Sequence, residues 1–285
     1  MTTAGTDPVR LATARSQATV RLMLPREHGA WGMLLLPFVT ALVLSRRLAW
    51  EVLPAALLAA GVFVVREPLV VLWRQARVWK QWRPETQQAR RSLAFYLAAI
   101  AFSALILLWR RPVWPLVAMG VAAAALTAVS AYLTVQNRQR SLGLQLASAA
   151  GLTGSALLGW LATGAAWEPR IWWLWGAQAA HSAAALVAVH ARLEARIAAR
   201  TARETAGNKW RAAVAQGLLG AMAVGCVALG RPGLGAALAF SAAVHTIDLL
   251  RLRDYGFLQT PVRRIGLREL AISIAFSGLA VAALW

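Results

Sequence analysis

The stretch "PVWPLVAMGVAAAALTAVSAYLTVQN", residues 112–137, contains no Asp, Glu, Lys or Arg. A helix needs roughly 20 mainly apolar residues to cross the hydrocarbon of a bilayer, and this run is longer. Inside lipid no water satisfies backbone N–H and C=O groups, so a spanning segment is a helix or part of a closed barrel. No strand-like alternation occurs, which leaves the helix. Working outward, residues 141–167, 171–191, 212–230 and 270–285 are also free of these four residue types. The 285-residue chain is 59% hydrophobic and 14% charged, with a mean hydropathy of +0.55. Such a composition excludes an ordinary soluble enzyme and predicts an all-α polytopic membrane protein.

About nine transmembrane helices are expected from the run lengths, at roughly 30–45, 48–65, 92–109, 113–135, 142–163, 171–190, 212–230, 234–250 and 269–285. Residues 1–23 carry Arg10, Arg15 and Arg21 without an apolar core or cleavage site, and read as a disordered basic cytoplasmic arm. Residues 24–285 form a single transmembrane domain, with long loops near 66–91, 191–211 and 251–268. Cys226 is the only cysteine, so disulfides within the chain are excluded.

The net charge of +19 is a topology signal. With the N-terminus cytoplasmic, 24 of the 30 lysines and arginines fall on the cytoplasmic side. The exceptions are Arg46, Arg47, Arg110, Arg111, Arg170 and Arg231. This asymmetry is the positive-inside pattern expected of a multi-pass protein in an inner, cytoplasmic membrane. Membrane lipid is therefore the expected partner, and nucleic acid is not.

Carboxylates gather on that side too, although the positive-inside rule does not require it. Nine of the eleven acids lie there, and only Glu51 and Glu168 face out. Six helix ends place ionisable or amide groups at one depth. These are Glu27 and His28; Arg66 and Glu67; Asn137 and Arg138; His190, Arg192 and Glu194; His245, Asp248 and Arg251; and Arg268 and Glu269. His181 alone lies near mid-membrane, where ionisable groups are rare and usually functional. His245 and Asp248 are three apart, so Asp248 is positioned to accept from the imidazole; His190 and Glu194 are four apart and likewise adjacent. Interfacial caps and salt bridges are the plain alternative for each residue taken singly.

The candidate acid–base residues are Glu27, His28, Glu67, His190 and Asp248. The candidate ligand-binding residues are Arg66, Arg74, Asn137, Arg138, His181, Arg192, Glu194 and His245. A divalent metal held by His28, Glu67, His190 and His245 suits imidazole and carboxylate chemistry, though the spacing matches no metal motif. In "REPLVVLWRQARVWKQWRPETQQARR", residues 66–91, tryptophans sit among arginines, as on a helix lying at a headgroup surface.

"LPREHGAWGMLLLPF", residues 24–38, resembles the start of the YwiC-like family of bacterial membrane proteins. "HARLEAR" and "RIGLREL" further on fit that resemblance, which extends it over most of the chain. Residues 131–164, "AYLTVQNRQRSLGLQLASAAGLTGSALLGWLATG", are more distantly similar to the middle of UbiA-type intramembrane prenyltransferases. The similarity runs through Tyr132, Arg138, Gly143, Gly151, Gly154 and the Gly159-Trp160-x-Ala162-x-Gly164 ending, with Trp175 and His181 in keeping. It implies a UbiA-like bundle with a cytoplasm-facing polar cavity for an amphiphilic, isoprenoid- or quinone-type ligand. The aspartate-rich magnesium motifs of those enzymes are missing, since residues 60–91 hold no Asp or Asn. A divergent prenyltransferase is thus one expectation; a transporter or lipid-binding protein without catalytic activity is the alternative.

Overall fold

The computed structural model describes residues 22–25, 28–138, 141–201 and 206–285, the side chains of residues 28 and 206–208 excepted. It is 85% helix, and the described residues contain no strand. The helices are α1 (His28–Ser45), α2 (Val52–Val64), α3 (Arg66–Trp73), α4 (Glu85–Arg110), α5 (Val113–Val135), α6 (Leu142–Thr153), α7 (Ser155–Ala162), α8 (Pro169–Thr201), α9 (Ala206–Ala228), α10 (Pro232–Leu250), α11 (Tyr255–Leu258) and α12 (Val262–Leu284). A π-helical turn, Arg74–Trp79, extends α3, and a 3₁₀ turn, Arg251–Arg253, follows α10.

Seven stretches among the described residues are long and apolar enough to cross a membrane: Val52–Trp79, Glu85–Arg110, Val113–Val135, Leu142–Ala162, Lys209–Ala228, Pro232–Arg253 and Val262–Leu284. Two expected spans fall outside that set. Gly29–Ser45 is apolar but shorter, and span 171–190 lies within the 33-residue α8, whose last turns are polar. The protein is an integral membrane protein of about nine helical passes at most.

Three local departures from the sequence reading matter for the site. The loops near 66–91 and 191–211 are largely helical, because α3 with its π turn and the C-terminal half of α8 run through them. Helix α12 begins at Val262, so Arg268 and Glu269 stand in its second turn. Helix α1 continues through Pro37, which cannot donate to the backbone ladder. In that turn Ser155 of α7 donates to Leu34 O at 2.6 Å, a contact that lipid would not supply.

Small residues let the helices close on one another. A Cβ on Gly159 would stand 2.9 Å from Phe38 O, so α7 meets the α1 backbone only because that side chain is absent. At Gly235 a Cβ would stand 2.7 Å from Ala223 O, which joins α10 to α9 in the same way. The main core is built from α1, α7, α8, α9, α10 and α12, around fully buried Leu44, Trp160, Ile171, Leu174 and Phe276. A second cluster, with Phe38, Ala55, Leu107 and Leu161, ties α2, α4 and α7 to α1. Outside these cores, side chains such as Phe102, Leu105, Val121 and Val224 are exposed, as a lipid-facing surface requires.

Candidate functional site

The polar helix ends form three groups. In the first, on α3, the π turn and α5, Arg66 pairs with Glu67 at 3.1 Å and donates to Ser130 Oγ at 3.4 Å. Arg74 donates to Thr134 O at 2.8 Å and Asn137 Oδ1 at 3.4 Å, and so closes the end of α5. Asn137 itself adopts the left-handed conformation, φ 60°, that terminates the helix; Arg138 is exposed.

In the second group His190 of α8 meets Gln145 of α6 at 3.2 Å. Its Nδ1 faces Leu186 O at 2.9 Å and donates to it, since a carbonyl only accepts, and its Nε2 faces the Gln145 amide. Glu194 is half-buried and makes no ion pair with a described residue, so the expected His190–Glu194 adjacency on one face produces no bond.

The third group is the deepest. It joins three stripes: Gln178, His181 and Arg192 on α8; Ser241, His245 and Asp248 on α10; and Glu269, Ser273 and Ser277 on α12. Residues 269, 273 and 277 are each four apart, so they line one helix face over about 12 Å. His245 is 0% exposed and His181 1%. From the basic face inward, Glu269 Oε2 meets His245 Nε2 at 3.0 Å. His245 Nδ1 donates to Ser241 O at 2.8 Å, and Ser241 Oγ meets His181 Nδ1 at 2.7 Å. His181 Nε2 meets Ser273 Oγ at 3.1 Å, and one turn further Gln178 donates to Ser277 Oγ at 2.9 Å. Phe276 stacks on the His181 ring at 4.2 Å, and below this level the core is apolar.

The chemistry follows from the partners. A backbone carbonyl only accepts, so His245 Nδ1 carries a hydrogen. The bond between Nε2 and Glu269 then contains one proton, held either by the carboxyl or by the imidazole. The other carboxylate oxygen, Oε1, faces Arg268 at 3.4 Å, and Arg268 forks onto both oxygens of Asp248. Arg192 is 5% exposed, donates to Phe257 O at 2.8 Å and lies 3.6 Å over the Phe257 ring. Its Nε has no hydrogen-bond partner among the described residues. It lines, with His245, Asp248 and Glu269, a cavity of about 10 Å³, the size of one water.

Several expectations change here. Asp248 bonds Arg268 rather than His245, because a bidentate guanidinium outcompetes an imidazole whose Nδ1 is already spent on Ser241 O. Glu269 takes the role expected of Asp248, and Ser241 and Ser273 join unannounced. No local spacing could reveal these partners, since Glu269 is 24 residues from His245 and Ser241 is 60 from His181. Among the described residues no group of three or more His, Cys, Asp or Glu is placed to hold a metal ion, and Glu67 and His190 have other partners. Glu27 lies outside the described residues, and His28 is described only as backbone opening α1.

No curated protein and no solved structure matches the chain. The similarity to UbiA-type prenyltransferases therefore stays an expectation of the sequence. The stretches "HARLEAR" and "RIGLREL" and the whole buried seam lie C-terminal to the residues matched by a family model. Residues 24–162, from the approach to α1 through α7, match the family described as YwiC-like protein.

Proposed function

We propose that this integral membrane protein is a proton-linked carrier, with its basic face in the cytoplasm and the seam of α8, α10 and α12 as the proton path. The observation that carries this reading is the Glu269–His245 bond at 3.0 Å, with a single shared proton, at the mouth of a buried polar path. Intramembrane ionisable groups are expensive to bury and mark ion and proton pathways. Beyond His181 lies one more buried polar pair, Gln178 and Ser277 at 2.9 Å, deeper than a set of interfacial salt bridges would need.

The prenyltransferase reading draws less support. Its anion-binding set divides between groups: Arg66 and Arg74 are engaged near α5, while Arg192 is buried against Phe257. The cavity that Arg192 lines holds about one water, too little for an isoprenoid diphosphate. A ligand-binding role without catalysis remains compatible with the carrier.

The test is charge displacement after a pH jump across protein adsorbed with lipid on a capacitive electrode. The wild type should give a transient that falls at least tenfold in His245→Ala and Glu269→Gln while both variants insert and elute normally. Unchanged transients in both variants would remove the proton path.

A further inference from the structure

A cavity lies at the opposite face from the seam, between the N-terminal turns of α8 and α10 and the C-terminal turns of α9. It has a volume of about 560 Å³, within the range of sites that hold small molecules. Met222, Leu234 and Leu238 form apolar walls. Trp167, Trp172 and Trp173 form an aromatic wall, with Trp167 and Trp172 stacked at 5.6 Å. Its floor includes Ala177 and Leu238, the chain neighbour of Gln178 and a residue within one turn of Ser241.

Glu168 is the only ionisable carboxylate or base among the lining residues. Its side chain is 44% exposed. Arg170 faces both of its oxygens, Nε at 2.7 Å from Oε2 and Nη2 at 3.3 Å from Oε1, but is not a lining residue, so an incoming cation competes with it; its guanidinium carbon sits 5.2 Å over the Trp160 ring. What the cavity presents is a carboxylate beside tryptophan faces above an apolar pocket. Tryptophan faces attract cations through the ring quadrupole, and quaternary ammonium groups are the recurrent ligands of such walls.

We propose that this cavity binds an amphiphilic organic cation, its ammonium head at Glu168 and the Trp167–Trp172 stack and its apolar body against Met222, Leu234 and Leu238. The assignment deepens the carrier reading by naming a substrate class, and rests on that reading for transport but not for binding. Gly176 lines the cavity, and a Cβ there would meet nothing within 4 Å, so Gly176→Phe fills the space without a backbone clash.

The experiment uses the full chain in lipid nanodiscs and three photoreactive dodecyl probes with trimethylammonium, hydroxyl or sulfate heads. Mapped crosslinks from the trimethylammonium probe should fall on residues 167–177 and 222–238, about fivefold above the sulfate probe, as one cation–π contact beside a carboxylate would give. Glu168→Gln should reduce the trimethylammonium yield to that of the hydroxyl probe, and Arg170→Gln should raise it. Gly176→Phe should remove the crosslinks of all three. Equal labelling by the three heads would reduce the site to a lipid-chain groove and overturn the proposal, as would labelling that Gly176→Phe leaves unchanged. Loss of this labelling pattern with an intact pH-jump transient would refute the substrate class alone; the reverse would refute the proton path alone.

Discussion

Two carboxylates, one buried and one partly buried, at opposite ends of the bundle, sit beside arginines and do different work. Glu51, at the start of α2, is 4% exposed. Arg110 meets its Oε1 at 3.3 Å and Arg111 its Oε2 at 3.1 Å, while Arg111 also donates to Ala162 O at 2.7 Å. Both oxygens face groups that never release a proton, so the cluster can only hold α2, the α4–α5 junction and α7 together. Glu269 gives one oxygen to Arg268 and the other to His245. Exchanging one permanent cation for an imidazole turns a clamp into a place where a proton can change owner. Burial and an arginine partner are common to both, so neither feature alone marks function.

The largest expected contrast is in the pH-jump transient. His245→Ala should abolish it, at least tenfold, whereas Glu51→Ala should leave it within about twofold once insertion is matched; a loss in both would erase the distinction drawn here. The next contrast is stability. Glu51→Ala strands Arg111 in a mostly buried position and should cost about 3 kcal/mol, measured by reversible unfolding in mixed micelles.

Acid should separate the two ends further. Burial by itself would raise the Glu51 carboxyl, but its backbone N–H, the Arg110 hydrogen bond and the charges of Arg111 and Arg110 more than reverse this and hold it below the ordinary carboxylate range. A depressed value means that the stabilisation is complete above the unfolded-state value and is lost as pH falls through the folded one. Wild-type stability should therefore drop in strong acid, and that component of the drop should be missing in Glu51→Gln. A smaller effect is expected at Ser155→Ala, which removes a buried hydrogen bond between α7 and the Leu34 carbonyl of α1 and should cost about 1 kcal/mol in the same assay. The smallest is expected at His190→Gln. That ring lies between Leu186 O and Gln145, apart from the seam, and the transient should not change.

The sequence revealed the membrane fold because uncharged runs of sufficient length leave few alternatives. It also singled out His181, His245, Asp248 and Arg192, which the fold brings into one seam. It misjudged their pairing for a physical reason. Spacing of three or four reports neighbours on one helix, but each of these side chains found its partner on another. The Asp248–Arg268 fork and the Glu269–His245 bond both depend on how α12 packs against α10, and α12 starts eight residues before its uncharged run. The five polar helix ends among the described residues do not share a centre: lateral placement, which hydropathy does not encode, divides them among three groups. The outer cavity was invisible for the same reason, since Trp172, Met222 and Leu234 come from three helices.

The most direct test of the central claim is an infrared difference spectrum of the protein in lipid, taken across a pH titration. If Glu269 and His245 share one proton, a carboxyl band and an imidazole band should titrate together, and Glu269→Gln should remove the first and displace the second. An imidazole band that titrates identically with and without Glu269 would contradict the shared proton, and the carrier reading with it.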